Sequence, residues 1–165
     1  MSAITIGLAQ IKVGTAAANG TMPTSLTKIG KTYKDTCKMS QDAAEVTEHF
    51  EEGMAAPEYR KKTRKIPKLT FSIMDADAKM LAEYVGGTAT GAAGKETWAY
   101  DGNEVVANKS LLIETEQGLN FEIPNADIEA VINADMSAKG IFLVDFTVTP
   151  LAVTAGKALR GVPKP

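Results

Sequence analysis

The chain has 165 residues and a mass of 17.5 kDa, enough for one ordinary domain but not for two with separate cores. With 44% hydrophobic residues it can bury a core, and a formal net charge of -2 excludes a general attraction to nucleic acid or anionic membranes. A single cysteine, Cys37, excludes an intramolecular disulfide, and a single histidine, His49, weakens most metal-site and imidazole-base chemistry. We therefore expect one domain over residues 1–165, with no metal, no cofactor and no enzymatic activity.

The N-terminal part, residues 1–23, is predicted to be a strand or extended arm. It has no basic stretch followed by an apolar one, so we expect no signal peptide. Apolar residues alternate through Ile4–Leu8, but Ile11 and Val13 fall on the opposite parity. Such a change implies a bulge, a turn or two short strands. Small and polar residues from Gly14 to Pro23 then indicate a loop.

A charged excursion, residues 41–68, follows a predicted strand at Tyr33–Ser40. Acidic residues come first, Gly53–Pro57 makes a flexible tip, and basic residues come last. Because only Tyr59 is available there for base stacking, contacts between subunits are favoured over nucleic-acid binding. The charged residues in question are Asp42, Glu45, Glu48, Glu51, Glu52, Arg60, Lys61, Lys62, Arg64 and Lys65.

A strand and a helix are predicted next. Strict alternation over Lys68–Ile73 is typical of a strand with one buried face. Asp75–Val85 has an apolar stripe at helical spacing, with Asp75 as a plausible N-cap and Gly86-Gly87 as a left-handed stop. A helix of this length is marginal alone, so we expect its stripe to pack on the sheet.

Period-two alternation dominates the remainder, which makes the fold class mainly β with antiparallel neighbours. Turn signals predict a hairpin at Gln117-Gly118, a second turn at Pro124-Asn125 and a third at Ala138–Gly140. The last clear strand is Ile141–Thr149, and residues 151–165 form a C-terminal tail that is either extended against a neighbour or frayed.

Six acids and no lysine or arginine occur between Ser110 and Ala138, so one face of this sheet should be strongly negative. The close pair Glu114 and Glu116 also suits glycosidase carboxylates, but a solvated polar face is the more economical interpretation. The glycine-rich run Gly86–Lys95 lacks the glycine and hydroxyl positions of a phosphate-binding loop and is interpreted as a connector.

In layout the chain resembles phage major tail tube proteins. The resemblance covers the long charged excursion Asp42–Lys65, a strand running directly into a single helix over Leu69–Val85, and the closing strands from Asn108–Ile113 through Phe142–Pro150. It implies two packed antiparallel β-sheets, sandwich-like or barrel-like, flanked by one α-helix. Six copies would form a ring, and stacked rings would form a tube.

The resemblance also implies partners and a location. The chain would bind itself and other tail proteins, DNA would pass through the lumen without specific binding, and the protein would belong to the virion tail after assembly in the host cytoplasm. Tubes of bacterial contractile, type VI-like injection systems are the alternative within this class. The charged excursion is assigned to ring stacking. Lumen-facing candidates are Glu114, Glu116, Asn120, Glu122, Asp127, Glu129, Asn133 and Asp135.

A function of another class stays open at this point. A monomeric β-sandwich could bind a carbohydrate or other ligand on an aromatic platform of Trp98, Tyr100 and Tyr84. An enzyme is the least favoured class, because the sequence contains no nucleophile elbow, metal set or cofactor fingerprint.

Overall fold

The structure, a computed structural model, describes residues 4–165; residues 1–3, where the expected N-terminal arm begins, lie outside the described residues. As predicted, the fold is mainly β, with antiparallel sheets packed together and one short helix. The strands of the described part are β1 (Ile6–Thr15), β2 (Thr27–Lys28), β3 (Lys38–Ser40), β4 (Glu45–His49), β5 (Tyr59–Thr63), β6 (Lys68–Ile73), β7 (Thr88–Thr90), β8 (Thr97–Ala99), β9 (Ala107–Gln117), β10 (Leu119–Ala134), β11 (Phe142–Pro150) and β12 (Arg160–Pro163).

Eight strands form one antiparallel sheet in the order β2-β1-β9-β10-β11-β6-β3, with β12 pairing on β10. The long strand β10 lies inside this sheet. It pairs with β9 on one side, and on its other side it pairs with β12 through its first residues and with β11 through its second half. β12 therefore places part of the C-terminal tail on the sheet of its own chain. Two further pairs, β4 with β5 and β7 with β8, form separate two-stranded sheets.

Two β-bulges keep the apolar residues on one side of this sheet. In β1 the register shifts between Leu8 and Gln10, which accounts for the parity change seen in the sequence. In β10 the register shifts between Ile123 and Ala126. The turn predicted at Pro124-Asn125 is therefore wrong, because the strand continues through it. Proline is tolerated there because a bulge leaves a residue outside the hydrogen-bond ladder.

The core lies on the inner face of the large sheet. Phe146 of β11 stacks on Phe71 of β6, with ring centroids 5.1 Å apart, and Tyr84 meets Phe146 edge-on at 5.3 Å. The alternation of β6 and β11 is as predicted. The buried apolar residues are Ile11, Ile29, Leu69, Phe71, Ile73, Leu81, Tyr84, Ala107, Leu111, Ile113, Ile123, Ala126, Ile128, Ala130, Val144, Phe146 and Val148.

The helix, α1, is confirmed but starts later than predicted. It begins with an α-helical turn, Ala78–Met80, and continues as a π-helical turn, Leu81–Val85. Asp77 is the N-cap, since its side chain accepts from Met80 N at 2.9 Å, whereas Asp75 accepts from Lys31 N at 2.7 Å. The predicted cap at Asp75 is wrong because a neighbouring segment uses its carboxylate.

Two other segments differ from expectation. Of the strand predicted at Tyr33–Ser40, only β3 forms, because a turn at Tyr33–Thr36 with Asp35 in the left-handed region (φ 62°) interrupts it. The glycine-rich run Gly86–Lys95, interpreted as a connector, forms β7 and the turn of a small hairpin with β8, and this hairpin packs against α1.

Replacing Phe146 by alanine should lower the free energy of unfolding by about 3–5 kcal/mol, because the ring contacts both Phe71 and Tyr84. Urea denaturation followed by circular dichroism measures this. The control is Val131→Ala, half-exposed on β10, which should change stability by no more than about 0.5 kcal/mol. Equal losses in the two variants would contradict this description of the core.

Candidate functional site

The charged excursion forms a projecting two-stranded hairpin. Strands β4 and β5 pair antiparallel, with Glu45 opposite Thr63 and Glu48 opposite Arg60. Every residue of both strands is exposed, so neither face of this pair is covered by the rest of residues 4–165. We call residues 42–65, which comprise β4, β5, the tip between them and the flanking charged residues, the charged hairpin. It has a mainly acidic first side and a basic second side.

Few of the hairpin charges are paired within the chain. Arg60 Nε lies 2.8 Å from Glu48 Oε1, an exposed ion pair of the kind that contributes about 0–1 kcal/mol. Within residues 4–165, no carboxylate lies within ion-pair distance of Lys61, Lys62 or Arg64. The ring-stacking candidates therefore lie together on the charged hairpin. Most of the basic ones have no ion-pair partner within residues 4–165 and are available for contact with another surface.

The tip of the charged hairpin, residues 50–58, exposes two large apolar side chains, a feature that the pattern of charged residues in the sequence did not reveal. Phe50 is 54% exposed and Met54 58% exposed, beside Glu51, Glu52 and Glu58. At the base of the tip, the rings of His49 and Tyr59 stack with centroids 6.1 Å apart. The signal for this apolar and acidic tip was present in the sequence as two large apolar residues within a charged loop.

The eight lumen-facing candidates follow one face of the large sheet, which we call the acidic face. In β9 and the first half of β10 they occupy even positions, with Glu122 opposite Leu112. After the bulge they occupy odd positions, with Asp127 opposite Asn108 and Glu129 opposite Thr147. The bulge thus keeps the polar side chains on the same side of the sheet, and Asp135 follows directly after β10.

Bases from distant parts of the chain pair with two of these acids. Lys12 Nζ of β1 lies 2.9 Å from Glu114, and Arg160 of β12 lies 2.6 Å from Glu122. The sequence window contained no base, so both pairs were missed. Within the described residues no cation lies within 4.0 Å of the other four acids among the candidates, Glu116, Asp127, Glu129 and Asp135. Asp145 of β11, opposite Val131, adds a fifth such acid to this face.

Hydrogen bonds keep two acids of this face ionised. The Lys12 ammonium and then the Gln10 amide hold the pKa of the Glu114 carboxyl below its usual range. The backbone N–H of Ser137, which donates to Asp135 Oδ1 at 3.0 Å, lowers the pKa of Asp135 in the same way. Hydrogen bonds to the charged form favour that form, so both groups are anions at neutral pH.

An open cavity of about 780 Å³ lies beside the N-terminal half of β1. Its floor is apolar and includes Leu69, Ile113 and Phe121, and its charged residues are Lys28, Lys31, Lys34, Asp35 and Glu116. We call it the lysine-rimmed cavity. Cys37 also lines it, half-buried, and burial raises the pKa of that thiol to about 11. Cys37 packs against the core as a small apolar residue.

The three aromatic residues of the ligand-binding alternative do not form an open platform. Tyr84 is buried against Phe146, and Trp98 donates its indole N–H to Gly86 O at 2.7 Å. Only Tyr100, 65% exposed, is accessible, with its ring 5.9 Å from that of Trp98. Two of the three rings therefore serve packing.

Across residues 4–165 there is no group of three or more His, Cys, Asp or Glu side chains placed to hold a metal ion. In the same part of the chain, no helix has the length and apolar character needed to cross a membrane. No family model and no curated protein matches the sequence.

Replacing Lys12 by methionine should raise the pKa of Glu114, measured by NMR titration of its carboxyl carbon. Because pairing lowers this pKa in the folded state, its stabilisation is present above the ordinary glutamate value of about 4.3 and is lost as the pH falls through the lowered value. The stability difference between wild type and K12M, at most about 1 kcal/mol, should therefore be largest at neutral pH and vanish in acid.

The control for this titration is Lys139→Met, an exposed lysine on the turn between β10 and β11. It should leave the pKa of Glu114 unchanged. Identical titration of Glu114 in wild type and K12M would contradict the pairing.

Proposed function

We propose that the chain is a structural subunit that assembles with copies of itself into the stacked hexameric rings of a phage tail tube, a conduit for DNA. The observation that carries this proposal is the charged hairpin, which projects with both faces uncovered. The hexameric ring and the phage tail come from the resemblance in layout described above. The chain acts in this proposal as a building block and not as an enzyme.

An uncovered two-stranded hairpin favours assembly for a physical reason. Such a hairpin is marginally stable in water unless a third strand or another surface covers it. Its two sides carry unlike charges, so the surface that suits one side differs from the surface that suits the other. This asymmetry suits a head-to-tail contact, which repeats from ring to ring without closing on itself.

The acidic face supports the assignment of a DNA conduit. DNA binding depends on lysine and arginine contacts to phosphates, and such contacts would retain the cargo. The acids of this face that have no cation within 4.0 Å among the described residues repel phosphates instead. Lys12 and Arg160, the bases nearest the acids of this face, are each held by a glutamate. Two other bases that strand register places on this side, Lys28 and Lys38, lie on the outer strands β2 and β3. A channel lined by such a face would let a polyanion pass without specific binding.

Negative-stain microscopy of the purified protein tests self-assembly directly. We expect six-fold rings at low protein concentration and tubes at high concentration, with sedimentation confirming the mass. A protein that stays monomeric at every protein and salt concentration would contradict the proposal.

Charge reversal on the basic side of the hairpin tests ring stacking. The variant K61E/K62E/R64E should form rings that fail to elongate, since these three bases have no partner within the described chain, whereas Arg60 is held by Glu48. The matched control is K95E/K139E/K157E, which reverses three exposed lysines outside the hairpin. Reversing Asp42 and Glu45 as well should partly restore tubes. Tubes of normal length from the first variant would exclude this role for the basic side of the charged hairpin.

Charge reversal on the acidic face tests the conduit. Tubes of D127K/E129K should assemble normally but retain duplex DNA at low salt, and particles that carry this variant should release their genome more slowly. The control D101K/E104K reverses two exposed acids on the loop between β8 and β9 and should retain no DNA. Equal DNA retention by the two variants would exclude the acidic face as the lumen.

A further inference from the structure

The tip of the charged hairpin has the composition of a docking segment. From residue 50 to residue 58 it contains three acids and no base, and it exposes two large apolar side chains, Phe50 and Met54. Exposed apolar side chains rimmed by charge mark interaction surfaces when they occur together. The tip therefore calls for a partner surface that is apolar at its centre and basic at its edge.

The lysine-rimmed cavity has that composition. Its floor of Leu69, Ile113 and Phe121 is apolar, and three lysines outnumber two acids among its charged lining residues. Its volume of about 780 Å³ lies within the range of roughly 300–1,000 Å³ of pockets that bury whole small ligands, so two side chains fit easily. Burial of the Cys37 thiol, which raises its pKa to about 11, agrees with a weakly hydrated interior.

We infer that the hairpin tip of one copy docks in the lysine-rimmed cavity of a second copy, with Phe50 and Met54 on the apolar floor and the tip acids beside Lys31 and Lys34. Within the described part of one copy both surfaces are uncovered, because the tip is exposed throughout and none of its residues lines the cavity. The inference rests on the proposed self-assembly and names the contact that joins the copies.

The contact combines two physical terms. Burial of two large apolar side chains contributes through the hydrophobic effect, and the opposite charges at the edge select the partner and orientation. Asp35 and Glu116, the two acids of the lining, oppose the tip and restrict it to an approach from the lysine side. A single contact of this kind is weak, but every subunit in a tube repeats it, which raises the overall avidity.

Photocrosslinking of the full-length protein tests the contact. Benzoylphenylalanine in place of Phe50 should, on irradiation of assembled protein, form crosslinks that mass spectrometry maps to residues 28–39 or 113–121. Mixing isotopically labelled and unlabelled protein shows whether each crosslink joins two copies. The matched control carries the same probe at Tyr100, an exposed aromatic outside the hairpin, and should give no crosslink to the cavity.

Charge exchange supplies the second measurement. The variant K31E/K34E should lower the yield of intercopy crosslinks from position 50 about tenfold, which corresponds to ~1.4 kcal/mol, and E51K/E52K in the partner should restore it. The control K139E/K157E has the same change in net charge away from the cavity and should leave the yield unchanged. Circular dichroism confirms that each variant is folded.

The outcomes separate this inference from the proposed function. Tubes with intercopy crosslinks at the cavity support both. Tubes whose crosslinks from position 50 fall elsewhere, or join residues of the same copy, overturn the inference but remain consistent with the proposed tube function. A monomer without intercopy crosslinks at any concentration overturns both.

Discussion

Alternation of side chains along a strand is the constraint on which this structure depends. In β10 the inward positions are odd up to Ile123 and even from Ala126 onward, and the bulge between them makes both sets face the core. Without that extra residue, Ile128 would point to solvent and the Asp127 carboxylate would point into the core. Burial of an unpaired carboxylate costs several kcal/mol, so the bulge decides which face is apolar and which is acidic.

The same bulge links the sheet to the segments around it. Pro124 O accepts from Ala17 N at 2.8 Å, and Asn125 O accepts from Leu151 N at 2.9 Å. The carbonyl groups that leave the regular ladder are thus satisfied by the loop after β1 and by the segment after β11. One irregularity in the longest strand therefore fixes the acidic face and also anchors two loops.

Local sequence patterns were enough to predict many of the strands and the helix. Contacts between distant segments determine the bulge of β10 and the helix cap, which the sequence did not predict. The alternation of Lys68–Ile73 and the stripe of the helix depend on nearest neighbours in the chain, and both were predicted. A bulge and a turn have the same signature in the sequence, so Pro124-Asn125 could not be assigned without knowing that β9 continues alongside. Likewise, Asp75 resembles a cap until Lys31 from a distant segment is placed beside it.

The candidate site was predictable only in part for the same reason. Composition identified the charged hairpin and the acids of β9 and β10, because both are continuous in the sequence. The partners of Glu114 and Glu122 come from β1 and β12, at the two ends of the described chain. The lysine-rimmed cavity combines residues of β1, β2, β6, β9 and β10 with the loop before β3, so no single window of sequence reveals it.

The pairing of β1 with β9 has a consequence for the order of events during folding. Val13 pairs with Leu111, so roughly a hundred residues separate two adjacent strands, and such contacts form slowly, in milliseconds to seconds. The hairpin of β4 and β5 is local and forms in about 1–10 microseconds. Formation of the charged hairpin is therefore fast, whereas the lysine-rimmed cavity exists only once the large sheet has closed. In the proposed assembly, nascent and misfolded chains would lack this cavity, so only folded subunits would be incorporated.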